Sequence, residues 1–223
     1  MLEEVSPMKR KASFFLGLVL ATVSFSLFSA AQGLKPVQLP PPQTKGGRPL
    51  MEVLSDRKST REFGPGTLSP QTLSNLLWAA FGINRPDGRR TAPSAMNRQE
   101  VSIYVATPQG VYIYDAKDNV LNPVLAGDFR AVTGTQSFVK DAAVNLVYVS
   151  NLSKTDNAAS SEAEMYTAAD VGFIAQNVYL YCASEGLATV VRGSIDKPAL
   201  AKTLNLQPNQ KIILAQSAGY PKK

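Results

Sequence analysis

The stretch SEAEMYTAADVGFIAQNVYLYCASEG, residues 161–186, constrains this chain more than any other. It reads as one long helix. Ser161 and Glu164 form a capping box at its start, and Gly186 supplies the stop. Small and apolar residues run round almost its whole circumference, so the helix must be buried on most sides. Asp170, Gln176 and Asn177 argue against a membrane span. A domain of this size lacks the mass to cover a helix all round. A second copy of the chain is therefore expected over one side, which predicts a homodimer.

The other elements follow from periodicity. Leu50, Val53 and Leu54 mark a short amphipathic helix. Ser69 caps the next one, with Pro70 at its first position, and Leu73, Leu76, Leu77, Ala80 and Phe81 form its apolar stripe before Gly82. Residues 82–99 make a long polar loop with two prolines and four arginines, a length that compact domains often reserve for function. VSIYVA (101–106) and GVYIYD (110–115) read as a hairpin, and AVNLVYVS (143–150) as a buried strand. LATVV (187–191), the helix DKPALAKTL and the strand KIILAQSAGYP (211–221) complete the order. Helices and strands mixed without a βαβ repeat predict an α+β domain.

Three regions divide the chain. Residues 1–31 read as a signal peptide: Lys9 to Lys11 form the basic part, Phe14 to Phe28 the apolar run, and Ser29-Ala30-Ala31 the small-residue exit. The brevity of that run disfavours a retained anchor, so no stable membrane span is expected after cleavage. Met8 is an alternative start to Met1, since the acidic MLEEVSP is foreign to such a leader. Residues 32–49 are a Pro/Gly-rich linker or arm, and 50–223 the folded domain. Export to the periplasm or the extracellular space is the expectation.

Composition narrows the chemistry. The chain has no histidine and one cysteine, Cys182. This removes Ser-His-Asp and Cys-His nucleophilic machinery in their usual forms, histidine bases, cysteine-clustered metal sites and an intrachain disulfide. An enzyme built this way works through carboxylates, backbone dipoles or an organic cofactor. Without residues 1–31 the charge is 20 basic against 15 acidic residues, which favours small anionic ligands; no nucleic-acid motif is present.

Three segments are candidates for a site. In DRKSTREFG (56–64), Arg57, Lys58 and Arg61 offer charge-assisted donors to a phosphate, and Ser59 a neutral one; the alternative is a helix end that attracts cations through its dipole. In RTAPSAMNRQ (90–99), the small-residue turn Pro93-Ser94-Ala95 admits a flat ligand, while Asn97 and Gln99 carry amides suited to a ring edge; the alternative is an ordinary polar turn. In EGLATVVRGSID, the backbone N–H groups of Arg192 and Gly193 at a strand end are expected to be open to a ligand; the alternative is punctuation between elements.

Taken in order, Arg-x-Ser-x-Arg, Pro-Ser-x-x-Asn-x-Gln, Gly-Leu-x-Thr-Val and the closing GYPKK resemble the FMN-dependent nitroreductase family. LLWAAFGINRPDGRRTAPSA and GVYIYDAKDNVL are similar to its branch of azoline oxidases and their stand-alone relatives. The resemblance spans Pro49 to Lys223. It implies a central, mostly antiparallel sheet flanked by helices, with the long helix at a homodimer interface. It further implies that Arg57, Lys58, Ser59 and Arg61 hold the FMN phosphate and ribityl chain, and that Lys222 or Lys223 closes the site. Pro93, Ser94, Ala95 and Asn97 would come from the partner subunit to line the isoalloxazine. Val190 and Val191 would pack on the ring, with the Arg192 and Gly193 backbone near its reactive N5.

No side chain need be catalytic, because the flavin carries the redox chemistry. A ping-pong oxidoreductase is implied, with NAD(P)H a candidate donor and a nitroaromatic, quinone or similar small molecule as acceptor. Three departures stand out. Met96 occupies a small-residue position, Glu100-Val101 stands where many members have Pro-Trp, and NAD(P)H is scarce where an exported enzyme works. Two other readings compete: a non-enzymatic exported protein binding flavin or another flat anion on this fold, and a cell-envelope interaction module using the proline arm. Cys182 and Trp78 are expected as packing residues, and Glu162 and Glu164 as helix-end charges.

Overall fold

The computed structural model describes residues 33–155 and 160–223; the expected signal peptide lies outside them. Among the described residues, seven strands form one sheet: β1 Val37–Gln38, β2 Val101–Ala106, β3 Gly110–Asp115, β4 Val120–Ala126, β5 Val144–Asn151, β6 Ala188–Arg192 and β7 Gln210–Gly219. Their order is β1-β4-β3-β2-β5-β7-β6, and every neighbouring pair is antiparallel. Helices α1 Leu50–Asp56, α2 Pro70–Phe81, α3 Ser161–Ser184 and α4 Lys197–Thr203 flank it. This is the expected α+β architecture.

Alternation along the central strands builds two cores. Ile103 and Val105 of β2 and Leu146 and Tyr148 of β5 face α2 and α3, meeting Leu76, Leu77, Ile174 and Val178. Tyr104, Val147 and Val149 point the other way, to Leu200 of α4 and the nearby Leu204. Both faces of β5 are covered, which is why its sequence is a continuous apolar run.

Ser69 caps α2 as expected, its Oγ accepting the Thr72 N–H at 3.0 Å. The cap of α3 is Ser160, one residue earlier than expected: its Oγ accepts from the Ala163 N–H at 3.1 Å. At the far end the chain turns through Gly186 at φ 67°, and the Leu187 N–H returns to the Cys182 carbonyl at 2.8 Å.

One expectation is corrected, and one strand is added. Within residues 32–49, expected as a linker or arm ahead of a domain starting near Leu50, the part around Val37 to Pro40 packs into the folded unit. Val37 and Gln38 pair with Leu121 and Val120, Leu39 is buried in the core, and the Pro40 carbonyl accepts from the Ser74 hydroxyl at 2.6 Å. Strand β4 carries no readable strand pattern, because Asn122 and Pro123 interrupt it. Proline is tolerated there because Pro123 pairs with Tyr112 at a register shift in the ladder.

Within one chain, α3 buries Val171, Ile174, Val178 and Cys182 completely. Its opposite side is open, with Met165 58% and Phe173 48% exposed beside the exposed Ala168, Ala169 and Gly172. Helix α1 likewise buries only Val53 and leaves Leu50, Met51 and Leu54 in the open. Among the described residues no helix is long and apolar enough to cross a membrane.

Candidate functional site

The segment after α1 is fixed by its backbone to two strand ends. The Thr60 N–H donates to the Thr189 carbonyl on β6 at 2.9 Å. The Gly64 N–H donates to the Tyr220 carbonyl at 2.9 Å, Phe63 bridges Pro221, and the Lys222 N–H reaches the Glu62 carbonyl at 3.3 Å. A β-carbon at position 64 would lie 2.9 Å from the Pro221 carbonyl oxygen, so only glycine permits this approach. These bonds bring Arg57, Lys58 and Arg61 to the same edge as Lys222 and Lys223.

Tyr179, on the buried side of α3, locks the arrangement. Its hydroxyl lies 2.7 Å from Ser59 Oγ and accepts the Val191 N–H at 2.9 Å. The Arg57 guanidinium sits 5.3 Å from its ring centroid, a cation–π contact. Asp56 turns away and pairs with Arg48 at 2.7 Å, which keeps its negative charge out of the cluster. The edge therefore carries four side-chain cations and the terminal Lys223 pointing to solvent or half-buried, with Ser59 between them.

Strand β6 is the outer strand of the sheet. Its Thr189 carbonyl and Val191 N–H face outward to Thr60 and Tyr179. By antiparallel alternation, the Arg192 N–H turns inward to β7, where Arg192 is registered with Ala215. The expectation that its backbone is open is corrected on that ground; Gly193, exposed, is the next position on the open edge. Val190 is corrected too. It is 2% exposed and packs with Phe63, Ala142 and Ala188, so its side chain is spent on the core, whereas Val191 stays half-buried on the α3 side.

The Arg192 side chain is a structural bolt that the sequence did not reveal. It donates from Nε to Ser217 Oγ at 3.1 Å, from Nη1 to the Thr133 carbonyl at 2.7 Å, and from Nη2 to Asn145 Oδ1 at 3.0 Å. These acceptors are neutral, and burial lowers the guanidinium to about 10. On the other face, Gln216 links the Tyr148 hydroxyl, Thr189 Oγ1 and the Ala175 carbonyl beneath α3. Together these networks hold β6 rigidly behind the cationic edge.

The loop with Pro93, Ser94, Ala95 and Asn97 does not join this edge within one chain. Its Ala95 N–H donates to Asp170 Oδ2 at 3.0 Å, nine residues before Tyr179, or about 13 Å along the α3 axis. Gln99, considered as a ring-edge reader, is used internally. Its Oε1 accepts from Arg90 at 2.8 Å, and its Nε2 donates to the Gly88 carbonyl and to Asn97 Oδ1. Met96 is 70% exposed and left-handed at φ 52°.

The cationic edge is a shelf rather than a pocket. A 430 Å³ cavity lies elsewhere, between α3, α4 and β7, walled mainly by Leu152, Pro198, Ala201, Ile212 and Ile213. The shelf's donor set suits a phosphoester: several cations, a hydroxyl, and, past the occupied part of the β6 edge, the exposed Gly193 where a planar group can lie close to the backbone. No histidine or cysteine borders it, and Cys182 is buried in the core with its thiol raised to about 12.

Comparison with known proteins gives concordant findings. The family model described as "Nitroreductase family" matches residues 54–220. A protein assigned as a nitroreductase in Methanocaldococcus jannaschii is 29% identical over 168 residues, 71% of this chain and 85% of its own. A crystal structure assigned likewise, from Ralstonia eutropha, superposes with a TM-score of 0.80 at 42% identity, covering 84% of this chain and 90% of the other. The fold is shared, at 22% identity and a TM-score of 0.58, with a family member from Desulfovibrio desulfuricans in complex with FMN, covering 80% and 89%.

Proposed function

The chain belongs to the nitroreductase family, and from that premise we propose that it is an FMN-dependent oxidoreductase working as a homodimer. The carrying observation is the convergence of Arg57, Lys58, Ser59 and Arg61 with the β6 edge and the C-terminal lysines on one shelf, built by backbone bonds. Arg57, Lys58 and Arg61 hold the phosphate, with Lys222 or Lys223 closing over it. Val191 and the Gly193 backbone border the ring. Bound FMN supplies the two-electron redox chemistry.

The protein's share is placement. Tyr179 fixes Ser59 and Val191 relative to each other, so the ribityl-binding and ring-binding parts of the shelf move as one. The loop of Pro93, Ser94, Ala95 and Asn97 comes from the partner and completes the site. Its separation from the shelf within one chain supports this, as does the exposed apolar side of α3, which needs a cover. Donor and acceptor use the same pocket in turn. We place the protein outside the cytoplasm, on the strength of the leader read in residues 1–31; NAD(P)H is scarce there, which favours another small-molecule reductant as the donor.

The enzyme reading is tested by anaerobic reduction of the FMN-loaded protein with a donor, followed by a nitroaromatic or a quinone. Full reoxidation with stoichiometric product is expected over repeated cycles. Flavin that binds but cannot be reduced and reoxidised in the complex would instead establish a carrier.

A further inference from the structure

The loop from Pro93 to Gln99 is held in a costly shape. Met96, Asn97 and Gln99 have φ of 52°, 54° and 48°, a left-handed region that residues other than glycine seldom adopt. Such backbone persists only where its surroundings over-determine it. One tether is internal, the Gln99 N–H on Ser94 Oγ at 2.9 Å. A second is the Ala95 N–H on Asp170 Oδ2 at 3.0 Å, from the middle of α3.

Asp170 has an unusual neighbour. It is 3% exposed, and Glu100, 2% exposed, lies near enough to push its carboxyl upward. Glu100 ends the loop and leads into β2. Its Oε2 is buried and, among the described residues, has no donor. Two ionised carboxylates placed this way repel each other and leave that oxygen unsatisfied; one proton between them removes a charge and supplies the donor.

We propose that Asp170 keeps its proton and donates it to the buried, otherwise unpartnered Oε2 of Glu100, and that this pair is the positioning device of the Pro93–Gln99 loop. With the proton in place, α3 and the first turn into β2 are drawn together and Ala95 is held. With the proton lost, two buried negative charges push apart and the loop loosens. That the loop serves the flavin rests on the function proposed above; the latch itself does not.

Other groups modulate the pair. Arg98, in the loop, opposes the rise at Asp170, and the Ala95 N–H does so more strongly. Lys154, in the turn after β5, donates to the Gln99 carbonyl at 3.0 Å and steadies the loop independently. Ser150 on β5 is buried nearby in the same ladder, registered with Val101. Burial is the largest cause lifting the Asp170 carboxyl from 3.8 to about 6, and Glu100 adds to it. The sign follows: the folded protein holds the proton more tightly, so the joined pair contributes fully below 3.8 and is lost as pH rises through about 6.

The test is hydrogen exchange of the loop peptide from about pH 4 to pH 8, expressed as protection relative to intrinsic rates, so that base catalysis divides out. In the wild type, protection should fall by about tenfold or more, centred near pH 6. Glu100→Gln should keep the low-pH protection at every pH, and Asp170→Asn, which still accepts from Ala95, should do the same. A flat wild-type profile would overturn the proposal even if neither variant folds, and so would variants that retain the wild-type pH dependence. FMN affinity is measured over the same range. Failure to bind FMN with a pH-dependent loop counts against the proposed function alone, whereas FMN binding with a flat loop profile counts against the latch alone.

Discussion

Tyr179 shows how much of the shelf depends on one side chain. Its hydroxyl joins Ser59 to the Val191 backbone, and its ring supports Arg57. Tyr179→Phe should retain the ring contact and lose both hydrogen bonds, lowering stability by about 1–3 kcal/mol in a denaturant titration. FMN affinity should fall with it, because Ser59 and Val191 are no longer held in register. Phosphate-directed substitutions such as Lys58→Ala should weaken binding without that loss of stability. The cations were legible in the sequence from their type and spacing. Tyr179 was not, since a tyrosine inside an apolar helix reads as packing. Arg192 differs in the opposite direction: its place at a strand end points to its backbone, while its side chain enters the core and bonds Thr133, Asn145 and Ser217. Which way a side chain leaves an edge strand depends on the register with β7, which one segment does not reveal.

At the level of elements, the strongly periodic or continuous apolar segments were readable and the interrupted ones were not. α2, α3, β2, β3 and β5 follow from stripes, caps and β-branched runs. β1 and β4 escaped because a two-residue strand has no pattern, and because Pro123, which breaks the β4 pattern beside Asn122, is acceptable only at the irregular register opposite Tyr112. Helix α3 carries the element-scale prediction. Its sequence is apolar on too many sides for one chain, and the surplus is the open stripe of Met165, Ala169, Gly172 and Phe173. Phe173→Glu places a charge on that stripe, where a partner would bury it unpaired. Light scattering should show a dimer for the wild type and a monomer for the variant, with helix content by circular dichroism unchanged. A variant that remains dimeric would place the interface elsewhere.

For the molecule as a whole, a histidine-free chain with one inert cysteine has little acid–base or nucleophilic equipment of its own. What it does have is a rigid sheet edge, a cationic shelf clipped to it at Thr60, Gly64 and Lys222, and an uncovered helix face on which a second copy can complete the site. Those features make sense together if an anionic, planar redox cofactor is what the fold holds. The most direct test is a titration of the purified, flavin-stripped protein with FMN, followed through the visible flavin absorption and its fluorescence, alongside the Arg57→Ala/Arg61→Ala double variant. The wild type should take up one FMN per chain with a perturbed flavin spectrum, and the double variant should bind at least about tenfold more weakly, the loss expected for charge-assisted contacts. A wild type that leaves the FMN spectrum unchanged, or a double variant that binds as tightly, would contradict the assignment of this shelf as the cofactor site.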